Sequence, residues 1–223
     1  MRTPRLFAAF LAALVCVSAP AFAAWKDIPA TDFRLSPPPA PGSAASDLDY
    51  AALLQLQADR TPRDCAVAAG QKIPDFHSLY DGSGLLSKPE LAAVAPFLDE
   101  ASQYMSKVSG YFKKKFARPR PYDVDPRVQP CVEKPGGATS YPSTHAASGA
   151  LDACVLGQIF PDRADALASY GKHLGDLRAI VGVHHPSDVS AGQSLADQVC
   201  ARLLQEADFR AELTQVRTSL PAR

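Results

Sequence analysis

The chain has 223 residues, with 23 Lys plus Arg against 23 Asp plus Glu and a formal net charge of zero. That balance lacks the basic excess of a nucleic-acid-binding domain, so any cluster of positive charge needs a local reason. Apolar residues make up 47% of the chain, which suits one globular domain with a sizeable core and excludes a disordered chain.

Arg2 and Arg5 precede an apolar run from Leu6 to about Val17, and Ala21-Phe22-Ala23 then fits the small-x-small rule of a cleavage site. Residues 1–23 therefore read as a signal peptide cut after Ala23, and the mature chain is expected to be periplasmic or secreted. The run is shorter than the roughly 20 apolar residues of a membrane span, and no later stretch is long enough, so no stable membrane association is expected. Cys16 leaves with the signal. Cys65, Cys131, Cys154 and Cys200 remain, an even number in an exported chain, which suggests two disulfides. Three pairings are open. Cys65–Cys131 with Cys154–Cys200 is preferred, because the second pair lies on expected core helices.

Residues 24–46 are rich in Pro and Ala and are expected to form an extended arm; residues 47–223 are expected to form a single α-helical domain. Asp47 can cap a helix through Tyr50, Leu53, Leu54 and Leu56. Thr61-Pro62 opens another, with Pro at its first position. Ser87-Lys88-Pro89-Glu90 starts a long helix carrying Leu91, Val94, Phe97, Leu98, Ala101 and Met105 at helical spacing, extending toward Phe116. Residues 119–140 form an irregular connection, and one this long is more often functional than idle. Helices are then expected over 144–159, from Pro161 through Ile180, and from Pro186 to about Ala207, followed by a short C-terminal piece. No stretch alternates as a strand. The fold class is all-α, a helical bundle.

Three clusters stand at helix ends or beside the long connection. The first is the basic run 113–121, where Pro119 and Pro121 stiffen the backbone around Arg120. The second is Pro142-Ser143-Thr144-His145, where a loop enters a helix whose first turn offers free N–H groups and the positive end of its dipole. The third runs from Arg178 to Asp188 and contains His184, His185 and Pro186. Asp188 lies close enough in the first turn of the last helix to bond one nitrogen of His184 and free the other. A divalent metal would be repelled by Lys113, Arg120 and Arg178, so no metal is expected. The planar donors of arginine suit an oxyanion, and phosphate fits best.

Together the clusters read Lys113, six residues, Arg120-Pro121; Pro142-Ser143-Thr144-His145; and Leu177-Arg178, five residues, His184, three residues, Asp188. This pattern resembles the phosphatidic acid phosphatase type 2 superfamily, and within it the bacterial class A nonspecific acid phosphatases. The resemblance extends to the PPPAPGS arm, the TPR segment at 61–63 and the FRAELTQVR tail. Thr144 stands where the family has Gly, and Leu177 where it has Ser.

The resemblance implies a helical bundle of the acid phosphatase and vanadium haloperoxidase type, with no cofactor. It implies that Lys113, Arg120, Arg178, Ser143 and the Thr144 amide hold the phosphoryl oxygens. His184 would be the nucleophile, Asp188 its orienting carboxylate and His145 the proton donor. His185 is expected only to wall the pocket. The expected partners are small phosphate monoesters such as nucleotides, sugar phosphates or aryl phosphates, with inorganic phosphate or vanadate as inhibitors. A homo-oligomer stays open. The rival readings are a vanadium-dependent haloperoxidase, a lipid phosphatase and a phosphate-binding protein that has lost catalysis.

Overall fold

The computed structural model describes residues 24–220, and the expected signal peptide at 1–23 lies outside them. The described residues form nine α-helices, with no strand among them: α1 Ala44–Asp59, α2 Pro62–Gly70, α3 Phe76–Tyr80, α4 Lys88–Phe116, α5 Pro121–Val124, α6 Thr144–Ile159, α7 Ala164–Ile180, α8 Pro186–Leu203 and α9 Ala207–Ser219; a long irregular connection lies between α5 and α6. The all-α expectation holds. None of these helices is long and apolar enough to cross a membrane.

Local chemistry explains the helix starts. Thr61 and Ser87 each form a reciprocal capping box, with Asp64 and Glu90, and each is followed by a proline in the first turn. α1 begins earlier than the sequence suggests. Ser43, not Asp47, accepts the capping N–H of Ser46, which leaves Asp47 inside the first turn. The short helices α3 and α5, each of one turn or little more, carry no periodic signal in the sequence.

The region expected to be an extended arm is partly folded. Ala24–Asp27 and Ala30–Asp32 are 3-10 turns. Trp25 is fully buried and meets Phe97, Tyr104 and Phe209 edge-on. Its backbone N–H donates to Asp208 and its indole N–H to Glu212. An indole of this size, once its polar hydrogen finds a partner, is a strong anchor, and it draws the start of the described chain onto α4 and α9.

At the centre lies α6, packed against α4, α7 and α8. Its residues are small and apolar on most sides, as a helix surrounded by others requires. A Cβ on Gly171 would lie 2.5 Å from the carbonyl oxygen of Gly149, and one on Gly192 would lie 2.4 Å from that of Ser143. These glycines let α7 and α8 approach α6 at backbone distance. The disulfides Cys65–Cys131 and Cys154–Cys200 are both formed. One ties α2 to the long connection, and the other ties α6 to α8.

Candidate active site

The three sequence clusters converge where α4 ends, α6 begins and α7 hands over to α8. α4 stops because Ala117 turns left-handed at φ 47°, an uncommon conformation for a residue with a Cβ. Beyond the reversal, Arg120 comes within electrostatic reach of Lys113 in the last turn of α4. An isolated bridge between Pro119 and Thr139 then closes the long connection on itself.

His184 is buried, with both ring nitrogens engaged. Its Nδ1 lies 3.3 Å from Asp188 Oδ2, and its Nε2 lies 2.8 Å from Arg120 Nη1. A guanidinium can only donate, so Nε2 must accept and the proton must reside on Nδ1, facing the carboxylate. Burial, together with Arg120 and Lys113, holds the imidazole well below its ordinary pKa despite the opposing effect of Asp188. His184 is thus neutral, with its lone pair on Nε2. Burial acts to raise the pKa of Asp188, but hydrogen bonds from His184 and His185 outweigh it and keep the group well below the usual carboxylate range.

Arg120 also donates to the carbonyls of Gly137 and Val183, which fixes its fork. Lys113 Nζ donates to the carbonyls of Thr139 and Ser140 at 3.2 and 3.1 Å, and burial with the neighbouring Arg120 pulls its pKa down to about 7. Arg178 reaches the carbonyl of Ala68, its buried Nε has no partner, and burial lowers its pKa to about 10. Three desolvated cations around one point, with an unsatisfied donor, form a seat that an oxyanion would complete.

Ser143 is the N-cap of α6. Its Oγ accepts from the Ala146 N–H, so the hydroxyl proton stays available to a further acceptor. The Ser143 N–H donates to the Asp188 carbonyl at 2.9 Å, which locks the start of α6 to the first turn of α8. Thr144 opens the helix, and the amides of its first turn lack a carbonyl within the helix. His145 Nε2 donates to the carbonyl of Gln71 at 2.9 Å, leaving Nδ1 as the nitrogen that can gain or lose a proton. Burial, and then Arg178, push the His145 pKa down to about 3.

Several partners carry no sequence signal. Arg118 Nη1 lies 2.7 Å from Asp188 Oδ1, and Nη2 lies 2.8 Å from Asp49 Oδ2. Asp49 also accepts from the N–H of Ser187. His185 differs from its expected place as a wall of the phosphate pocket. Its Nδ1 and its backbone N–H both bond Asp188 Oδ2, Tyr50 meets its ring edge-on, and the side chain faces a separate groove beside Pro37 and Phe116. Leu177 is buried in the core. Among the described residues no group of three His, Cys, Asp or Glu side chains is placed to hold a metal ion.

Residues 94–204, which hold all three clusters, match the PAP2 superfamily. The chain is 36% identical over 129 residues to a non-specific acid phosphatase of Salmonella typhi, covering 53% of this chain and 50% of that protein. It is 29% identical over 198 residues to an acid phosphatase of Zymomonas mobilis subsp. mobilis, covering 83% and 74%. The chain thus spans about half the length of the Salmonella relative it matches. In fold it is similar to a transmembrane PAP2 type phosphatidylglycerolphosphate phosphatase from Bacillus subtilis, with a TM-score of 0.55 and 16% identity over 78% of this chain and 89% of that one. The match over residues 94–204, the segment whose helix ends build this site, places the chain in the PAP2 superfamily.

Proposed function

We propose that this protein is an exported acid phosphatase that hydrolyses phosphate monoesters of broad structure through a phosphohistidine at His184, without a metal ion. The observation that carries the reading is the state of His184. Asp188 holds the proton on Nδ1, and the Nε2 lone pair points at Arg120, within the cationic seat. A nucleophile aimed at the same point as the anion-binding groups is the arrangement that phosphoryl transfer needs.

In the first step the phosphoryl oxygens take the place of His184 in the contact with Arg120, and Lys113, Arg178 and the start of α6 share their charge. The Nε2 lone pair attacks phosphorus as the ester P–O bond breaks, and the leaving oxygen takes the proton that His145 Nδ1 has received from the substrate monoanion. Asp188 balances the positive charge that then forms on the His184 ring. In the second step His145 Nδ1 takes a proton from water, the water oxygen attacks phosphorus, and the P–N bond breaks to release phosphate and neutral His184. Fixed donors for the pentacoordinate oxygens supply the largest share of the acceleration.

The test is acid-phosphatase turnover with EDTA present, beside His184→Ala, together with alkaline quenching during turnover to trap an acid-labile, base-stable phosphoenzyme. Turnover and a phosphoenzyme in the wild type, and neither in the variant, is the expected result. Loss of activity in chelator that zinc or magnesium restores would remove this mechanism. Vanadate should inhibit; peroxidase activity gained with vanadate would favour the haloperoxidase reading instead.

A further inference from the structure

Beside Arg178 opens a cavity of about 380 Å³, walled on one side by the end of α2 and Lys72 and on the other by Glu133, Lys134 and Gly136. Two observations orient it. Gly137, next to this wall, holds Arg120 through its carbonyl, and Gln71, next to Lys72, holds His145 through its own. The cavity therefore adjoins both the phosphoryl seat and the residue that protonates the leaving oxygen. An ester whose phosphoryl group sat at Arg178 would have this space open to its leaving portion.

The charges at that rim are not balanced. Lys72, Lys134 and Arg178 face it with one carboxylate, Glu133. Lys72 bonds Glu133 at 2.9 Å, but both are largely exposed, at 69% and 77%, and such a pair is weak and easily exchanged. Lys134 has its ammonium 4.7 Å from the centre of the Tyr122 ring, a contact that steadies the chain without neutralising it. The disulfide Cys65–Cys131 ties α2, which leads to Lys72, to the connection that carries Glu133 and Lys134, so the two walls are covalently joined.

We infer that the preferred ester carries a second anionic group on its leaving portion, a second phosphate or a carboxylate, which Lys72 and Lys134 hold at the cavity mouth. The inference rests on the phosphatase reading and deepens it by naming a substrate class, the bisphosphates and phosphorylated acids of small polyols or nucleosides. The phosphoryl group goes to the buried seat, and the second anion stays at the rim. Rim charges act through water, so the selectivity they give is moderate and falls with salt.

The experiment compares phenyl phosphate with its para-phosphonomethyl derivative, whose second anion cannot be hydrolysed and is insulated from the reacting oxygen. The expected result is a higher kcat/KM for the derivative at low ionic strength, carried by KM. Lys72→Ala and Lys134→Ala should each cut the preference about twofold to fivefold, and the double variant should bring the ratio near one. Glu133→Gln should widen the ratio, an effect of opposite sign that damage to the fold would not produce. Equal turnover of the two esters by the wild type, or a preference that survives the double variant, would overturn the inference and leave the phosphatase reading intact. No turnover of either ester would remove the phosphatase reading and this inference with it.

Discussion

Arg118 and Asp188 form the buried ion pair on which the nucleophile rests. Arg118 Nη1 lies 2.7 Å from Asp188 Oδ1, while the other oxygen of the same carboxylate takes the bonds from His184 and His185. The guanidinium also bridges to Asp49 at 2.8 Å, and all three side chains are at most 8% exposed. Asp188 is therefore oriented from two sides, by its own helix turn and by a residue on the far side of the α4 reversal. Removing one member of such a cluster leaves carboxylates buried without compensation, which typically costs about 3–5 kcal/mol. Arg118→Ala should lose stability on that scale in urea unfolding. In the fraction that stays folded at low denaturant, kcat should fall about tenfold to a hundredfold, because an orienting partner one bond removed from the chemistry is lost. Arg118→Lys, which can reach only one carboxylate, should fall between. Unchanged kcat in Arg118→Ala would show that Asp188 needs no second support.

Lys113 gives the anion seat a pH dependence. Its pKa, pulled down to about 7 by burial and by Arg120, leaves it charged below pH 7 and neutral above. Anion binding should therefore weaken as pH rises through 7. Sulfate keeps its own charge across this range, and its inhibition constant should rise about fivefold between pH 7 and pH 8 if the ammonium is required. Lys113→Met should flatten the profile at weaker affinity. The same shift fixes the sign for stability. The unfolded chain binds the proton more tightly than the folded one, so Lys113 costs the fold most below pH 7, and its contribution improves as pH rises from about 7 toward the ordinary lysine value.

His145, with its pKa pushed down to about 3, carries no proton of its own at mildly acidic pH. The leaving oxygen still needs one. The simplest donor is the substrate, entering as its monoanion and passing the proton to His145 Nδ1, which the incoming negative charge makes more basic. Phosphate esters lose that second proton near pH 6. The kcat/KM profile should fall above the second pKa of the ester, and its midpoint should move when esters of different second pKa are compared. A midpoint that ignores the ester would assign the proton to the protein.

Gly192 tests how the helices position the seat. A methyl group there would fall 2.4 Å from the Ser143 carbonyl oxygen and 3.1 Å from Ala146 Cβ, at the point where Ser143 is bonded to Asp188. Gly192→Ala should destabilise the protein by about 1–3 kcal/mol and lower kcat through displacement of Ser143. Gly157→Ala is the control. Its Cβ would meet Ala164 at an ordinary 3.5 Å, and gained helix propensity of up to about 1 kcal/mol should leave the protein as stable or more so. Thermal unfolding and phosphatase turnover on the two variants separate packing from site geometry.

Much of this was legible in the sequence because it is local. Thr61-Pro62, Ser87-Lys88-Pro89-Glu90 and Pro186 mark helix starts by chemistry that acts within four residues, and the spacing from His184 to Asp188 is one helical turn. The 144–159 helix falls where the residues indicate. What escaped is non-local or carried by backbone atoms. Asp49 is 69 residues from Arg118 in sequence, and nothing about either residue names the other. The carbonyls of Gln71 and Gly137 have no residue identity to read. Trp25 reads in the sequence as part of a Pro- and Ala-rich arm, because its pocket is made by α4 and α9, far along the chain. The sequence leaves His185 as a wall of the phosphate pocket, because only His184 has an Asp four residues on. A one-residue step along an extended N-cap segment turns the side chain to another side, and there it serves Asp188 from behind.

The contact between Arg120 and His184 has a consequence for the reactivity of the imidazole. With a guanidinium bonded to Nε2, the most reactive nitrogen of the site is occupied, and an electrophile that carries no negative charge has nothing with which to draw the arginine aside. Diethyl pyrocarbonate should modify exposed His77 long before it reaches His184. An oxyanion that engages Arg120 uncovers the nucleophile in the same motion that seats the phosphorus. Selectivity for charged over neutral electrophiles is thereby built into the resting state, before any question of substrate shape arises.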